Sequence, residues 1–220
     1  YSMTKPITSV AAMILYEEGR LALTDPVSAF IPAFADVRVY DGGSDQKQVT
    51  VPAAEPVRVW HLLTHTAGLT YGFHRVHPVD ALYRAAGFEW GTPPGTDLAQ
   101  ACDIWATIPL LFQPGTEWNY SVATDVLGRV VEVASGQSLD EFFADRIFRP
   151  LGMTQTAFSA APQPGPEPGP EPGPEAASRL AALYRYGPSR EHPRWRWITW
   201  GSVVAVILWA AASAAISIYI

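Results

Sequence analysis

Residues 114–136 read PGTEWNYSVATDVLGRVVEVASG: a turn-forming entry, a tyrosine, and a run whose apolar residues recur at helical steps. Val126, Val130, Val131 and Val133 predict an apolar face on a helix over 121–135, with Gly136 as its stop signal. Tyr120 then sits at the start of that helix. A tyrosine so placed, near a lysine ammonium, can hold a lowered pKa and pass a proton between a nucleophile and a leaving group. Taken alone it reads more readily as a packed aromatic whose hydroxyl meets a backbone carbonyl. A partner must come from elsewhere in the chain.

That partner stands at the other end of the sequence. The chain opens YSMTK, residues 1–5, and residues three apart on a helix lie on one face with Cβ atoms about 5–6 Å apart. A serine hydroxyl is a poor nucleophile near neutral pH, and a neighbouring lysine can take its proton. Ser2 and Lys5 thus form an S-x-x-K pair of the kind used by penicillin-recognising enzymes. From Met3 to Glu18 the apolar residues Ile7, Val10, Ala11, Ile14 and Leu15 recur at three- and four-residue steps, and Gly19 follows. Pro6 is tolerated only in the first turn of such a helix, so Ser2 falls at or near its N-terminus, where the helix dipole favours a developing alkoxide.

Between these two segments the pattern is mostly helical. Residues 21–32, LALTDPVSAFIP, predict a short helix bounded by Pro26 and Pro32; alternating β-branched residues around Asp41-Gly42-Gly43 predict a small hairpin. VWHLLTHTAGL, 59–69, returns to helical spacing and ends near Gly68. Further helices are predicted at 78–86, 97–107 and 138–148, with Pro150 as a breaker.

The net charge of -6 across 220 residues provides no basic surface for nucleic acid. The single cysteine, Cys102, excludes an internal disulfide and a cysteine-based zinc site, and reads as a small buried apolar residue. His61 and His65 are spaced i, i+4 as metal ligands can be, but Leu62 stands where a zincin needs its glutamate. No metal is expected, from these or from His74 and His77. Nothing in their spacing pairs Asp80, Asp97, Asp103 and Asp125, which read as solvated faces or helix caps.

Beyond residue 161 the composition changes. PGPE repeats three times over 164–175 within a Pro/Gly/Glu spacer at 162–176, which cannot bury a core and favours an extended path. A short helix is expected at 177–187 and a basic, aromatic segment at 188–197. Residues 198–220, ITWGSVVAVILWAAASAAISIYI, carry no charge and as a helix cover about 34 Å, enough for a bilayer core. A single-pass membrane helix is the reading. The basic flank by itself puts the N-terminal side in the cytoplasm, a rule that weakens for large domains, and orientation stays open.

In combination, S-M-T-K, LLTHTAGL, PGTEWNYSVATDVLGRVVEVASG and FRPLGMTQTAF, in this order, resemble the serine β-lactamase-like hydrolases. This group comprises class C β-lactamases, D-alanyl-D-alanine peptidases and family VIII carboxylesterases; YSVATDVLGR is most similar to the esterases. The resemblance spans Tyr1 to about Tyr184. It implies Ser2 as acylated nucleophile, Lys5 as its activating partner and Tyr120 as the general base that also protonates the leaving group. It implies an ester, peptide or β-lactam-like small-molecule substrate, an extracytoplasmic location and no cofactor.

Two departures accompany it. The family's Y-x-N element reads Tyr120-Ser121-Val122, replacing the asparagine that orients a β-lactam amide. The later strand with a K-T-G, H-x-G or W-x-G element has no counterpart, since WGS at 200–202 opens the apolar tail and a strand edge does not belong in a membrane span. The expected fold is therefore mainly α: the helical portion of the β-lactamase/DD-peptidase-like α/β fold over 1–161, with most of its sheet missing, plus a membrane helix. The chain reads as a fragment. The rival reading is a non-catalytic, membrane-tethered binding module or a decayed gene product.

Overall fold

Helix α1 runs from Thr4 to Glu17, and Pro6 lies in its first turn as its missing N–H demands. A computed structural model describes residues 2–158. Ala11, Ala12 and Leu15 of α1 are fully buried, and the helix packs along α5, Ala123–Ser135. The opposite face of α1 is open, with Val10 at 50% exposure. The α5 face is narrower than its valines predict, since Val126, Val130 and Val131 are buried but Val133 is 40% exposed. Gly136 ends α5 in the left-handed conformation with φ 73°, which glycine adopts at little cost.

The segment bounded by Pro26 and Pro32 is not one helix. It holds a 3₁₀ turn at Val27–Ala29, and a second 3₁₀ turn follows at Pro32–Asp36, because each proline suits only the entry to a turn. The hairpin forms from β1, Arg38–Gly43, and β2, Gln48–Pro52, paired antiparallel. Its reversal lies later than predicted: Asp41-Gly42-Gly43 sits within β1, with an irregularity between Tyr40 and Gly42, and the chain turns over Ser44–Lys47. Gly43, at φ +95°, leaves no room for a side chain, because a Cβ would meet the Lys47 carbonyl oxygen at 2.1 Å. Leu110 extends this pairing with a parallel bridge to Val39.

Helix α2, Val59–Leu63, is shorter than its spacing predicts and stops well before Gly68. His65 turns left-handed at φ 56°, so the expected i, i+4 helical relation between His61 and His65 does not form. Helices α3, Pro78–Ala85, and α4, Leu98–Thr107, fall within a residue of expectation. Asp97 caps α4 by accepting the Gln100 N–H at 2.8 Å, worth about 1 kcal/mol in comparable caps. Asp80 is a helix cap rather than a solvated face: it is fully buried, and its Oδ2 accepts the N–H groups of Val76 and of His77, the N-cap of α3, at 3.0 Å each. Helix α6, Leu139–Phe143, gives way to a π-helical turn at Ala144–Phe148, which breaks the single helix predicted over 138–148. Phe142 and Phe143 anchor this end of the core. Cys102 is buried, and burial pushes its thiol up.

Among the described residues β1 and β2 form a two-stranded sheet, and no helix is long and apolar enough to cross a membrane. The expected spacer at 162–176, helix at 177–187, basic segment at 188–197 and membrane helix at 198–220 lie outside the described residues.

Candidate active site

The first turn of α1 and the entry to α5 meet. Lys5 N–H closes the turn by donating to the Ser2 carbonyl at 3.2 Å, which directs the two side chains toward one side. The Ser2 Oγ lies 2.8 Å from the Tyr120 hydroxyl, a full-strength hydrogen bond in which either oxygen can donate. The Lys5 ammonium stands 4.7 Å from the centroid of the Tyr120 ring. All three residues singled out from the sequence therefore share one place.

The electrostatics follow from this contact. The Lys5 ammonium, and after it the Ser2 hydroxyl, hold the Tyr120 phenol below its ordinary value, because both stabilise the phenolate. Asp125, one turn further along α5, lines the same cavity; desolvation raises its carboxyl and Lys5 opposes that rise. Tyr71 lies 5.5 Å from Tyr120 between ring centroids, and burial pushes its phenol up. Two tyrosines in contact are thus driven apart in acidity, with Tyr120 the one that ionises more easily.

What holds Tyr120 in place is the segment after α2. The carbonyls of His65, Thr66 and Thr70 accept the N–H groups of Asn119, Gly115 and Val122 at 2.9, 2.8 and 3.4 Å, and the Leu69 carbonyl accepts the Asn119 side-chain amide at 2.9 Å. Residues 65–70 and 115–122 are laced together along their backbones. Gly68, at φ +80°, lets the same loop come close to the chain just before that segment, since a Cβ there would sit 2.6 Å from the Phe112 carbonyl oxygen. Thr70 is itself fixed by donating to Asp80 at 2.8 Å. LLTHTAGL has the pattern of a helix end, and its pairing with the tyrosine segment carries no periodic signal.

The trio opens into a cavity of about 860 Å³ walled by Tyr71, Phe73, Phe88, Trp90 and Val122 among others. Tyr71 and Phe73 stack at 4.8 Å, and Phe73 and Trp90 at 5.6 Å, so aromatic faces lead from Tyr120 outward. Trp90 is 80% exposed at the outer end. Val122, at the position where the family has asparagine, offers only an apolar wall. No residue of β1 or β2 lines the cavity.

His61 and His65 serve different places. His61 is fully buried, and its Nδ1 accepts the Arg58 N–H at 3.0 Å; its Nε2 faces Gly115, where an added Cβ would lie 3.0 Å away. The His65 ring lies against Tyr120. Among the described residues no cluster of His, Cys, Asp and Glu gathers to hold a metal ion.

A serine hydroxyl bonded to a tyrosine under a lysine, on the first turn of a helix packed against a second, defines the serine β-lactamase-like class. The Beta-lactamase family model matches residues 1–212, and the chain belongs to this family. Esterase EstB of Burkholderia gladioli is 39% identical over 165 residues, covering 74% of this chain and 38% of EstB. Protein Rv1367c of Mycobacterium tuberculosis is 36% identical over 188 residues, covering 84% of this chain and 41% of that protein. The chain thus spans about two fifths of the length of these curated relatives. Among solved structures, EstCE1, a hydrolase with promiscuous acyltransferase activity, matches with a TM-score of 0.56 and 35% identity, covering 68% of this chain and 36% of EstCE1. The fold is β-lactamase/DD-peptidase-like.

Proposed function

We propose that this chain carries the nucleophile and general base of a serine hydrolase that cleaves carboxylic esters or amides through an acyl-enzyme. Tyr120, as phenolate beside the Lys5 ammonium, takes the Ser2 proton while Oγ adds to the substrate carbonyl. As the tetrahedral adduct collapses, the carbonyl–leaving-group bond breaks and Tyr120 returns that proton to the departing alkoxide or amine. Acyl-Ser2 is then released by the reverse sequence, with water giving its proton to Tyr120 as it attacks and Ser2 taking it back. Lys5 keeps the phenolate accessible throughout by its positive charge. The observation that carries this reading is the 2.8 Å contact of Ser2 with Tyr120.

Esters are the favoured substrates over β-lactams, because Val122 has no amide to orient a lactam side chain. The aromatic wall from Tyr71 to Trp90 suits an apolar acyl or alcohol group. EstCE1 is described as both a hydrolase and an acyltransferase, and an alcohol in place of water would make the same transfer here.

A second reading, a non-catalytic binding module, draws on one observation: neither strand among the described residues borders the cavity, and the family's strand supplies one of the two oxyanion donors. Loss of one such donor costs about a hundredfold to a thousandfold in rate. Treatment of the folded chain with a fluorophosphonate separates the two. An adduct on Ser2 found by peptide mass analysis is expected for the hydrolase; no adduct on folded protein favours the module. Attachment to a membrane through 198–220 is proposed from the uncharged run alone, and resistance of the expressed chain to carbonate extraction from membranes is its test.

A further inference from the structure

We propose that His65 is the positioning residue for Tyr120, and that its ring, not only its backbone, sets the angle at which the phenol meets Ser2. This rests on the reading of Ser2 and Tyr120 as nucleophile and base. One imidazole meets three residues of the tyrosine segment: its ring lies 5.1 Å from that of Tyr120, tilted 43°, and 6.3 Å from that of Trp118, and its Nδ1 is 3.4 Å from the Ser121 hydroxyl. The ring therefore borders Tyr120 itself, Ser121 after it and Trp118 two residues before it.

The backbone places the ring there. At φ 56°, His65 is one of two non-glycine residues in the left-handed region among the described residues, a conformation that persists where surrounding contacts enforce it. Its carbonyl accepts the Asn119 N–H at 2.9 Å, which fixes the turn from the far side. Ser121 Oγ accepts the Ala123 N–H at 3.3 Å, and a hydroxyl so placed can either donate to His65 Nδ1 or accept from it. Burial, with the Lys5 ammonium as a lesser contributor, holds the imidazole below its ordinary value. A neutral ring leaves Lys5 as the cation that tunes Tyr120.

The test compares His65→Ala, His65→Gly and His65→Asn in the full chain. Glycine relieves the left-handed backbone and guards against a variant that fails to fold; asparagine tolerates that backbone and keeps a polar group toward Ser121. Fluorophosphonate labelling of Ser2 should slow by about a hundredfold in the alanine and glycine variants, the scale set by misplacement of a reacting group by an ångström, and recover in part with asparagine. The ultraviolet titration of Tyr120, taken as the difference from Tyr120→Phe, should move up toward an ordinary phenol in both. A merely structural role lowers the melting temperature and leaves the titration of folded protein unmoved. His65→Gly that labels and titrates like the wild type overturns the proposal. If the wild type forms no Ser2 adduct, the hydrolase reading fails and the titration alone decides for or against His65.

Discussion

The hydroxyls of Ser2 and Tyr120 lie 2.8 Å apart across 118 residues of chain, and the contact is made by two helix N-terminal segments rather than by a strand. Each lies just outside a regular helix, Ser2 before α1 and Tyr120 before α5, and the long packing seam between those helices sets their separation. The pair is therefore held by the helix interface behind it together with the 65–70 backbone laced to the tyrosine segment.

Removal of either hydroxyl should separate chemistry from folding. Ser2→Ala abolishes fluorophosphonate labelling, and Tyr120→Phe slows it by about a hundredfold to ten-thousandfold, the range of general acid–base contributions. Neither hydroxyl is needed by the core, so circular dichroism melts of both variants should overlay the wild type.

The pH dependence has a definite sign. If the phenolate of Tyr120 is the working base, the labelling rate rises with pH through the Tyr120 pKa. That midpoint lies below an ordinary tyrosine because Lys5 and then Ser2 favour the ionised form. Lys5→Met removes the larger influence, so the rising limb moves to higher pH and the rate at neutral pH falls. A rate profile that stays in place in Lys5→Met refutes the assignment.

Asp80 should prove a structural residue of the site. It is fully buried and accepts from Thr70, Val76 and His77. Replacement by alanine orphans these donors and weakens the entry to α3, costing about 2–4 kcal/mol of stability. Urea unfolding measures the loss. The segment carrying Tyr71 and Phe73 lies between Thr70 and Asp80, so labelling with bulky probes should weaken as well.

Trp90 should select substrates without supporting the fold. It is 80% exposed and stacks on Phe73 at 5.6 Å, so Trp90→Ala changes stability by no more than about 0.5 kcal/mol. The variant should raise KM for naphthyl or long-chain esters and leave short acetyl esters unchanged, as steady-state assays with both classes would record. An equal effect on both removes the aromatic wall from substrate binding.

The interior packing offers a further check. Leu15 lies fully buried on α1, the helix that packs along α5, and Leu15→Ala should cost about 2–5 kcal/mol. Loss of seam rigidity should also slow Ser2 labelling under conditions where the variant remains folded.

Much of the helical scaffold was legible in the sequence because periodicity, caps and breakers are local signals. Asp97 and the valines of α5 announced their helices, and the i, i+3 spacing of Ser2 and Lys5 declared a shared face. Elsewhere local signals ran out. The hairpin reversed later than Asp41-Gly42-Gly43 because the glycines there serve an irregular strand and a close approach to Lys47. Helix α2 ended early because His65 turns left-handed to meet Asn119. Val10 and Val133 match the helical period yet remain exposed, since an apolar residue on a surface costs a protein little.

By itself, the sequence determined which residues could do chemistry and most of the helices that carry them, since propensity, spacing and capping act over a few residues. Only the tertiary structure decided that Tyr120 meets Ser2, that residues 65–70 lace the tyrosine segment in place, and that His61 and His65 part company. Those relations join residues far apart in the chain, where the cost of closing long loops is repaid by packing and backbone hydrogen bonds that no local pattern encodes.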